Sequence, residues 1–234
     1  MYFTHPYLSV PIVPAILRIA IPNILAMSFM LIAAVMEAWF ISFLGTVSLA
    51  GLALVFPMFM LIIMLSAGAF GGAITGSIAQ RLGSNNLGEA ESLAVNSLIL
   101  SIILSIITAA IFLSAGRYIY SFLGGSGAVL EQTIAYSNYL FAGSSAIWVA
   151  NTLAGITRAT GNVWTAAKHL IAGYFVQVLI SAVLTFGIGP FPKMGISGSA
   201  IGLISGYIFT SCLLSFYLIA HCQELKLRFF ETKI

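Results

Sequence analysis

Residues 19–43 read IAIPNILAMSFMLIAAVMEAWFISF, and residues 49–79 read LAGLALVFPMFMLIIMLSAGAFGGAITGSIA. About 20 consecutive apolar residues are enough for one helix to cross a bilayer, so these two stretches predict two membrane-spanning helices. Glu37 is the only charged side chain between Arg18 and Arg81. A carboxylate inside a membrane helix is costly and marks a functional site by default. We therefore predict that Glu37 binds a cation, either a proton or a sodium ion.

The composition of the whole chain agrees with this interpretation. Only 6% of the 234 residues are charged, 60% are hydrophobic, and Asp is absent. A soluble domain has about 25% charged residues, so we predict an all-α, polytopic membrane protein whose main partner is the lipid bilayer. The net charge of +3 is no signature of nucleic-acid binding. Two cysteines are too few to indicate a disulfide framework or a metal site.

Six apolar stretches are long enough to cross the membrane. We place them near residues 16–43, 49–79, 92–113, 133–156, 164–186 and 196–220. The segments between them contain glycine, proline and asparagine, as expected of turns. We therefore treat residues 1–234 as a single lobe of six transmembrane helices.

The basic residues predict the orientation of this lobe. Two of them, Arg117 and Lys193, lie on one side of the predicted membrane. The other seven lie on the opposite side: Arg18, Arg81, Arg158, Lys168, Lys226, Arg228 and Lys233. Because cytoplasmic loops carry an excess of Lys and Arg, both termini are expected in the cytoplasm and the lobe in the inner membrane.

Glycines recur every four residues on two of the predicted spans. The two series are Gly68, Gly72 and Gly76 on the second span, and Gly198, Gly202 and Gly206 on the sixth. In lipid, small residues at this spacing let helix backbones approach closely. We predict that both series pack helices within one bundle, with a dimer face as the alternative.

A succession of short motifs runs along nearly the whole chain. In order, they are Ile21-Pro22, Glu37-Ala38-Trp39-Phe40, Leu44-Gly45, Gln80-Arg81-Leu82-Gly83, Arg158-Ala159-Thr160-Gly161-Asn162, Phe186-Gly187-Ile188-Gly189-Pro190-Phe191-Pro192 and Met194-Gly195-Ile196-Ser197-Gly198. This succession resembles the multidrug and toxic compound extrusion (MATE) family of cation-coupled efflux antiporters. Members of that family have two six-helix lobes with substrate between them, and this chain resembles the amino-terminal lobe alone.

The resemblance implies antiport of organic cations or drugs, driven by proton or sodium entry. A second lobe is expected from self-pairing or from a separately encoded half. The alternative is a non-transporting half-length fragment, or a subunit of a split transporter. No organic cofactor and no metal is expected beyond the coupling ion.

The resemblance also assigns positions on the first and fifth helices. Glu37 replaces the family's usual first-helix Asp, and Pro22 matches a proline that can bend that helix. Counted back from Phe186-Gly187, Gln177 takes the position of a family Asn. Ser181-Ala182 stands where many members have Asp-Pro, so the resemblance implies that the second acid of the lobe's cation site is missing.

Neutral groups elsewhere complete the predicted site. Ser199 falls near a polar position of the family's sixth helix, and Asn151 lies on the fourth helix one turn from Trp148. Oxygens of Gln177, Ser181, Asn151 and Ser199 are the expected neutral ligands. With one acid, a single exchangeable proton is easier to support than a sodium site. Trp148, like Tyr136 and Tyr139, is a candidate to stack on an organic cation, with packing or an interfacial belt as the alternative.

One enzyme pattern has to be weighed against transport. The residues Gly195-Ile196-Ser197-Gly198 match the nucleophile motif of rhomboid intramembrane proteases. A serine nucleophile needs a base within hydrogen-bond reach. The later histidine, His221, is 24 residues further on, or about 36 Å along a helix. A protease is therefore disfavoured, and we do not expect an enzyme.

Overall fold

The computed structural model describes residues 11–220, and within that range all regular secondary structure is helical. The elements are α1 (Ile12–Ser42), α2 (Thr46–Ile63), a π-helical segment (Met64–Phe70), α3 (Gly71–Gly83), α4 (Leu87–Phe122), α5 (Gly127–Ala142), α6 (Ser144–Ala159), α7 (Val163–Phe186) and α8 (Ile196–Ala220). The prediction of an all-α fold is confirmed. His221, Lys226, Arg228 and Lys233, named above, lie outside the described residues.

The lengths of these helices suit a membrane. Five are long and apolar enough to cross it, and α5 with α6 forms a sixth candidate span if the two are counted together. The second span is continuous from Thr46 to Gly83 and contains α2, the π-helical segment and α3. The exposed surface is rich in large apolar side chains such as Ile106, Leu179 and Phe216. A surface of this kind is suited to lipid rather than water.

The fourth span, predicted near residues 133–156, is not a single helix. The structure has two helices, α5 and α6, bent by 48° at Gly143. A Cβ at Gly143 would lie only 2.6 Å from Ile204 Cγ2 on α8. Glycine at the bend therefore lets α8 pack close to it. Hydropathy alone does not detect such a bend because both halves are equally apolar.

The helix α6 lies at the centre of the lobe. It packs against α3, α4, α7 and α8, and 12 of its 16 residues are buried. Around it, α7 packs along α8, α1 along α7, and α2 along α5. This arrangement brings Glu37, in the last third of α1, within hydrogen-bond distance of α5 and α8.

The two glycine series have different surroundings. On α8, a Cβ at Gly198 would lie 2.6 Å from the carbonyl carbon of Leu184, and one at Gly206 would lie 2.6 Å from the carbonyl oxygen of Gly173. The packing prediction is confirmed for that series. A Cβ at Gly68, Gly72 or Gly76 would have no atom within 4 Å among the described residues. For this second series, packing within the lobe was the wrong interpretation.

Candidate cation site at Glu37

Three helices converge on the carboxylate of Glu37. The residue lies in α1 and is only 6% exposed. Its Oε1 atom accepts one hydrogen bond of 2.7 Å from the hydroxyl of Tyr136 on α5 and another of 2.8 Å from the hydroxyl of Ser199 on α8. Buried polar groups in proteins are almost always hydrogen-bonded, and here two hydroxyls supply the bonds.

The local structure of α1 explains why Glu37 is held at this depth. The helix continues without interruption across Pro22, which is itself buried. Gly45 follows eight residues after Glu37, about 12 Å further along a helix, so the short carboxylate side chain does not extend to the end of the span. Pro22 does not break the helix, and a bend at this residue stays a prediction.

Ser199 is held in place by the neighbouring helix. It lies in the first turn of α8, and its carbonyl oxygen accepts a 3.2 Å hydrogen bond from the hydroxyl of Ser181 on α7. Gly202, one turn later, lies directly against the backbone of Ser181. Ser181 therefore positions Ser199, while Ser199 contacts the carboxylate.

Two small cavities border the carboxylate. One, of about 80 Å³, is lined by Glu37, Tyr136 and apolar side chains that include Phe56 and Phe59. The other, of about 50 Å³, is lined by Glu37 and by Gln177, Tyr174 and Tyr207, among others. One water molecule needs roughly 10–15 Å³, so each cavity has room for water next to the carboxylate. Gln177 and Glu37 thus line the same cavity, and the role of Gln177 as a ligand stays a prediction.

Three tyrosines belong to this site in ways that the sequence analysis missed. Tyr136 was considered only as a stacking platform, yet its hydroxyl bonds to Glu37. Tyr207 is close enough to Glu37 for the two side chains to interact electrostatically, and its hydroxyl is hydrogen-bonded to that of Tyr174. The sequence did contain a signal, because a tyrosine buried in an apolar helix usually needs a partner for its hydroxyl.

Asn151 and Trp148 lie elsewhere in the lobe. The amide nitrogen of Asn151 donates a 2.8 Å hydrogen bond to the hydroxyl of Ser66 in the π-helical segment. Trp148 is buried, its ring is 5.9 Å from that of Phe70, and its Nε1 has no hydrogen-bond partner among the described residues. Neither residue lines either of the two cavities described above. The structure therefore does not bring these two predicted residues to the carboxylate.

Ser197, the serine of the protease-like motif, has a backbone partner. Its hydroxyl donates a 3.4 Å hydrogen bond to the carbonyl oxygen of Ala135. His169 lies on α7 with its Nδ1 atom 2.7 Å from the carbonyl oxygen of Thr165. Both side chains thus bond to helix backbone.

Comparison with known proteins places the fold in a family. A family model described as MatE matches residues 19–184. The chain belongs to the MatE family. The matched range contains Glu37, Tyr136, Gln177 and Ser181, and Ser199 follows it.

Individual relatives match between 75% and 97% of the chain. The FAD transporter of Shewanella oneidensis is 26% identical over 227 residues, which are 97% of this chain and 50% of the relative. The "Probable multidrug resistance protein YoeA" of Bacillus subtilis is 26% identical over 175 residues, 75% of this chain and 38% of the relative. A crystal structure of MATE in the bent conformation has a TM-score of 0.86 and 28% identity, covering 94% of this chain and 48% of its own. The chain thus spans about half the length of the relatives it matches.

Proposed function

We propose that this MatE lobe takes part in secondary active transport, as one half of a cation-coupled antiporter. The observation that carries the proposal is the buried carboxylate of Glu37 with two hydroxyl donors and two adjacent cavities. An ionisable group inside a membrane protein typically marks an ion pathway. In transporters built from two repeats, ion sites near the midplane alternate between the two sides as the repeats rock.

A proton is the coupling ion that the residues favour. Ser181-Ala182 supplies no second carboxylate beside Glu37. A buried carboxylate is costly while it is charged, and uptake of one proton removes that charge. Sodium would instead need several coordinating oxygens, and Gln177 is the neutral amide that lines the cavity next to Glu37.

A second lobe completes the transporter, and another copy of this chain or a different MatE lobe can supply it. Support for this requirement comes from the relatives, because the chain covers 50% and 48% of two of them. A homodimer would place two Glu37 side chains in one assembly by symmetry. A fragment or subunit without transport of its own remains the alternative.

Organic cations are the first substrate class that we propose. Two relatives have multidrug resistance names, and aromatic and methionine side chains such as Phe56, Phe59 and Met60 line the cavity next to Glu37. Such soft, polarisable surfaces suit varied apolar ligands. A second candidate is a flavin nucleotide, because the relative aligned over 97% of this chain is an FAD transporter.

The test of this function is transport by the purified chain in liposomes. We would load the vesicles with a fluorescent organic cation or with FAD, and impose a proton or a sodium gradient. Gradient-driven movement of either solute should disappear in Glu37→Gln, which keeps the shape of the side chain but cannot take up a proton. Glu131→Gln is the matched control, because that carboxylate is exposed and pairs with Arg117 at the end of α4.

The outcomes separate the alternatives. Transport that is lost only in Glu37→Gln would show that two copies of the chain pair and that Glu37 couples them to the gradient. Equal transport by Glu37→Gln and the wild type would contradict the proposed role of Glu37. A folded but inactive chain would favour the fragment or subunit, and co-expression with a candidate second half would then be the next step.

A further inference from the structure

Arg158 is the most unusual charged residue outside the Glu37 site. Arg158 was predicted to be one of the cytoplasmic charges, but it lies in the last turn of α6 and is only partly exposed. Its Nε atom is buried without a hydrogen-bond partner among the described residues. The two ion pairs of the described residues, Arg81–Glu89 and Arg117–Glu131, do not include it. A buried donor without a partner is costly, so the Nε edge of this guanidinium is suited to a hydrogen-bond acceptor, and an anionic acceptor would also balance its charge.

A cavity of about 520 Å³ borders Arg158, and we call it the Arg158 cavity. Ligand pockets commonly measure about 300–1,000 Å³, so a small molecule or a lipid headgroup fits this volume. Asn23 of α1, Gly72 and Gly76 of α3, and Val163 of α7 are among the other lining residues. Because a Cβ at Gly72 or Gly76 would have no atom within 4 Å among the described residues, these glycines keep the cavity open.

The charge of the lining determines what can occupy this space. Arg158 is the only charged residue among the described residues that line the cavity. The side chain that interacts electrostatically with Arg158 is Tyr174. Because a phenol is neutral near pH 7, Tyr174 does not balance the charge of Arg158. The lining therefore repels an organic cation and attracts an anion.

The start of α7 adds a second positive contribution. Asn162 at the helix N-cap makes no capping hydrogen bond with its side chain, and Val163, the first residue of the helix, lines the cavity. Backbone N–H groups at a helix N-terminus carry partial positive charge and bind phosphate readily. Arginine adds a planar set of donors that matches two phosphate oxygens at once.

We propose that the Arg158 cavity binds a phosphate group, held by the guanidinium of Arg158. The group belongs either to a soluble phosphate ester or to an anionic phospholipid, and the chemistry of recognition is the same for both. This site is separate from the Glu37 site. Its occupancy does not depend on transport, because it is an equilibrium property of the lobe.

The experiment is a binding titration of the purified, delipidated chain in detergent. Riboflavin and riboflavin 5′-phosphate form a matched pair of fluorescent probes that differ by one phosphate ester. We expect the phosphate ester to bind more tightly than riboflavin, and Arg158→Gln to remove that difference. The loss should be on the order of tenfold to a hundredfold, as for hydrogen bonds to a charged group. A second titration with short-chain phosphatidylglycerol, against phosphatidylcholine, tests the lipid source.

Two further variants guard against misfolding and nonspecific charge effects. Gly76→Leu leaves Arg158 intact and fills the cavity, so it should weaken binding of the phosphate probe as strongly as Arg158→Gln. Lys168→Gln removes a different cation of α7 that does not line the cavity, and it should bind like the wild type.

Each outcome decides the proposal. Binding of the soluble ester that depends on Arg158 and Gly76 supports it with a soluble phosphate as ligand. Selective, Arg158-dependent binding of phosphatidylglycerol alone supports it with a lipid as ligand. If riboflavin and its phosphate bind equally and neither lipid shows a dependence on Arg158, the proposal is wrong. Because no gradient or second lobe is involved, failure here is distinct from failure of the transport proposal.

Discussion

Two helix faces with the same glycine spacing have opposite surroundings in this lobe. On α8, Gly198, Gly202 and Gly206 lie directly against the backbone of α7, with no room for a Cβ. On the second span, Gly68, Gly72 and Gly76 face space that no described residue fills within 4 Å. The same pattern thus holds two helices together in one region and leaves a cavity open in the other. The difference shows that glycine spacing permits close approach and does not by itself determine what approaches.

The largest expected effect compares Gly206→Leu with Gly76→Leu. A Cβ at Gly206 would lie 2.6 Å from the carbonyl oxygen of Gly173, and a backbone atom cannot move aside cheaply. We expect Gly206→Leu to cost about 3 kcal/mol of stability or more, at the upper end for overpacked cores. Gly76→Leu should leave the free energy of unfolding almost unchanged. Thermal unfolding in detergent measures the stability of both variants. An equal loss of stability in Gly206→Leu and Gly76→Leu would contradict the difference between the two faces.

Much of the fold was predictable because a helix that crosses a membrane needs a long, continuous stretch of apolar residues, and such stretches are visible in the sequence. A helix in lipid must satisfy its backbone internally and present apolar side chains, so the hydropathy of residues 19–43 and 49–79 was enough to predict helices there. Glu37 was predictable for the converse reason, since a lone carboxylate in such a stretch costs too much free energy to be an ordinary packing residue. The positions of Ser199 and Gln177 came from the family resemblance.

The rest could not be predicted because it depends on contacts between distant parts of the chain. Tyr136 is 99 residues from Glu37 and Ser199 is 162 residues from it, and hydropathy carries no information about such pairs. The bend at Gly143 and the burial of Arg158 are likewise set by neighbouring helices. Asn151 was assigned to Glu37 because of its polarity, yet the structure gives it a different partner in Ser66.

The second prediction compares the two hydroxyls that bond to Glu37. Ser199 is fully buried next to the tightly packed α7–α8 face, whereas Tyr136 borders a cavity of about 80 Å³. Water in that cavity can replace a lost tyrosine hydroxyl, but the close α7–α8 packing leaves no such room behind Ser199. We therefore expect Ser199→Ala to cost about 2 kcal/mol and Tyr136→Phe about 1 kcal/mol, within the range for hydrogen bonds to a charged or neutral group.

Chemical unfolding of the two variants, read by intrinsic tryptophan fluorescence, measures these costs. The same measurement in a Glu37→Gln background serves as the control, because both costs should shrink once the carboxylate is gone. A larger cost for Tyr136→Phe than for Ser199→Ala would mean that water in the cavity next to Tyr136 does not replace the lost hydroxyl.

The smallest expected effect concerns how α3 is anchored. The Arg81–Glu89 pair joins the last turn of α3 to the first turn of α4 at 2.8 Å, and both side chains are about half exposed. Exposed ion pairs typically contribute about 0.2–1 kcal/mol, so Glu89→Gln should lower stability by about 0.5 kcal/mol at low salt and by less at high salt. Glu131→Gln, which breaks the other exposed pair on α4 and α5, is the control. The glycine face of α3 has no packing partner among the described residues of the lobe. A much larger loss of stability for Glu89→Gln would therefore show that surface contacts hold α3 in place.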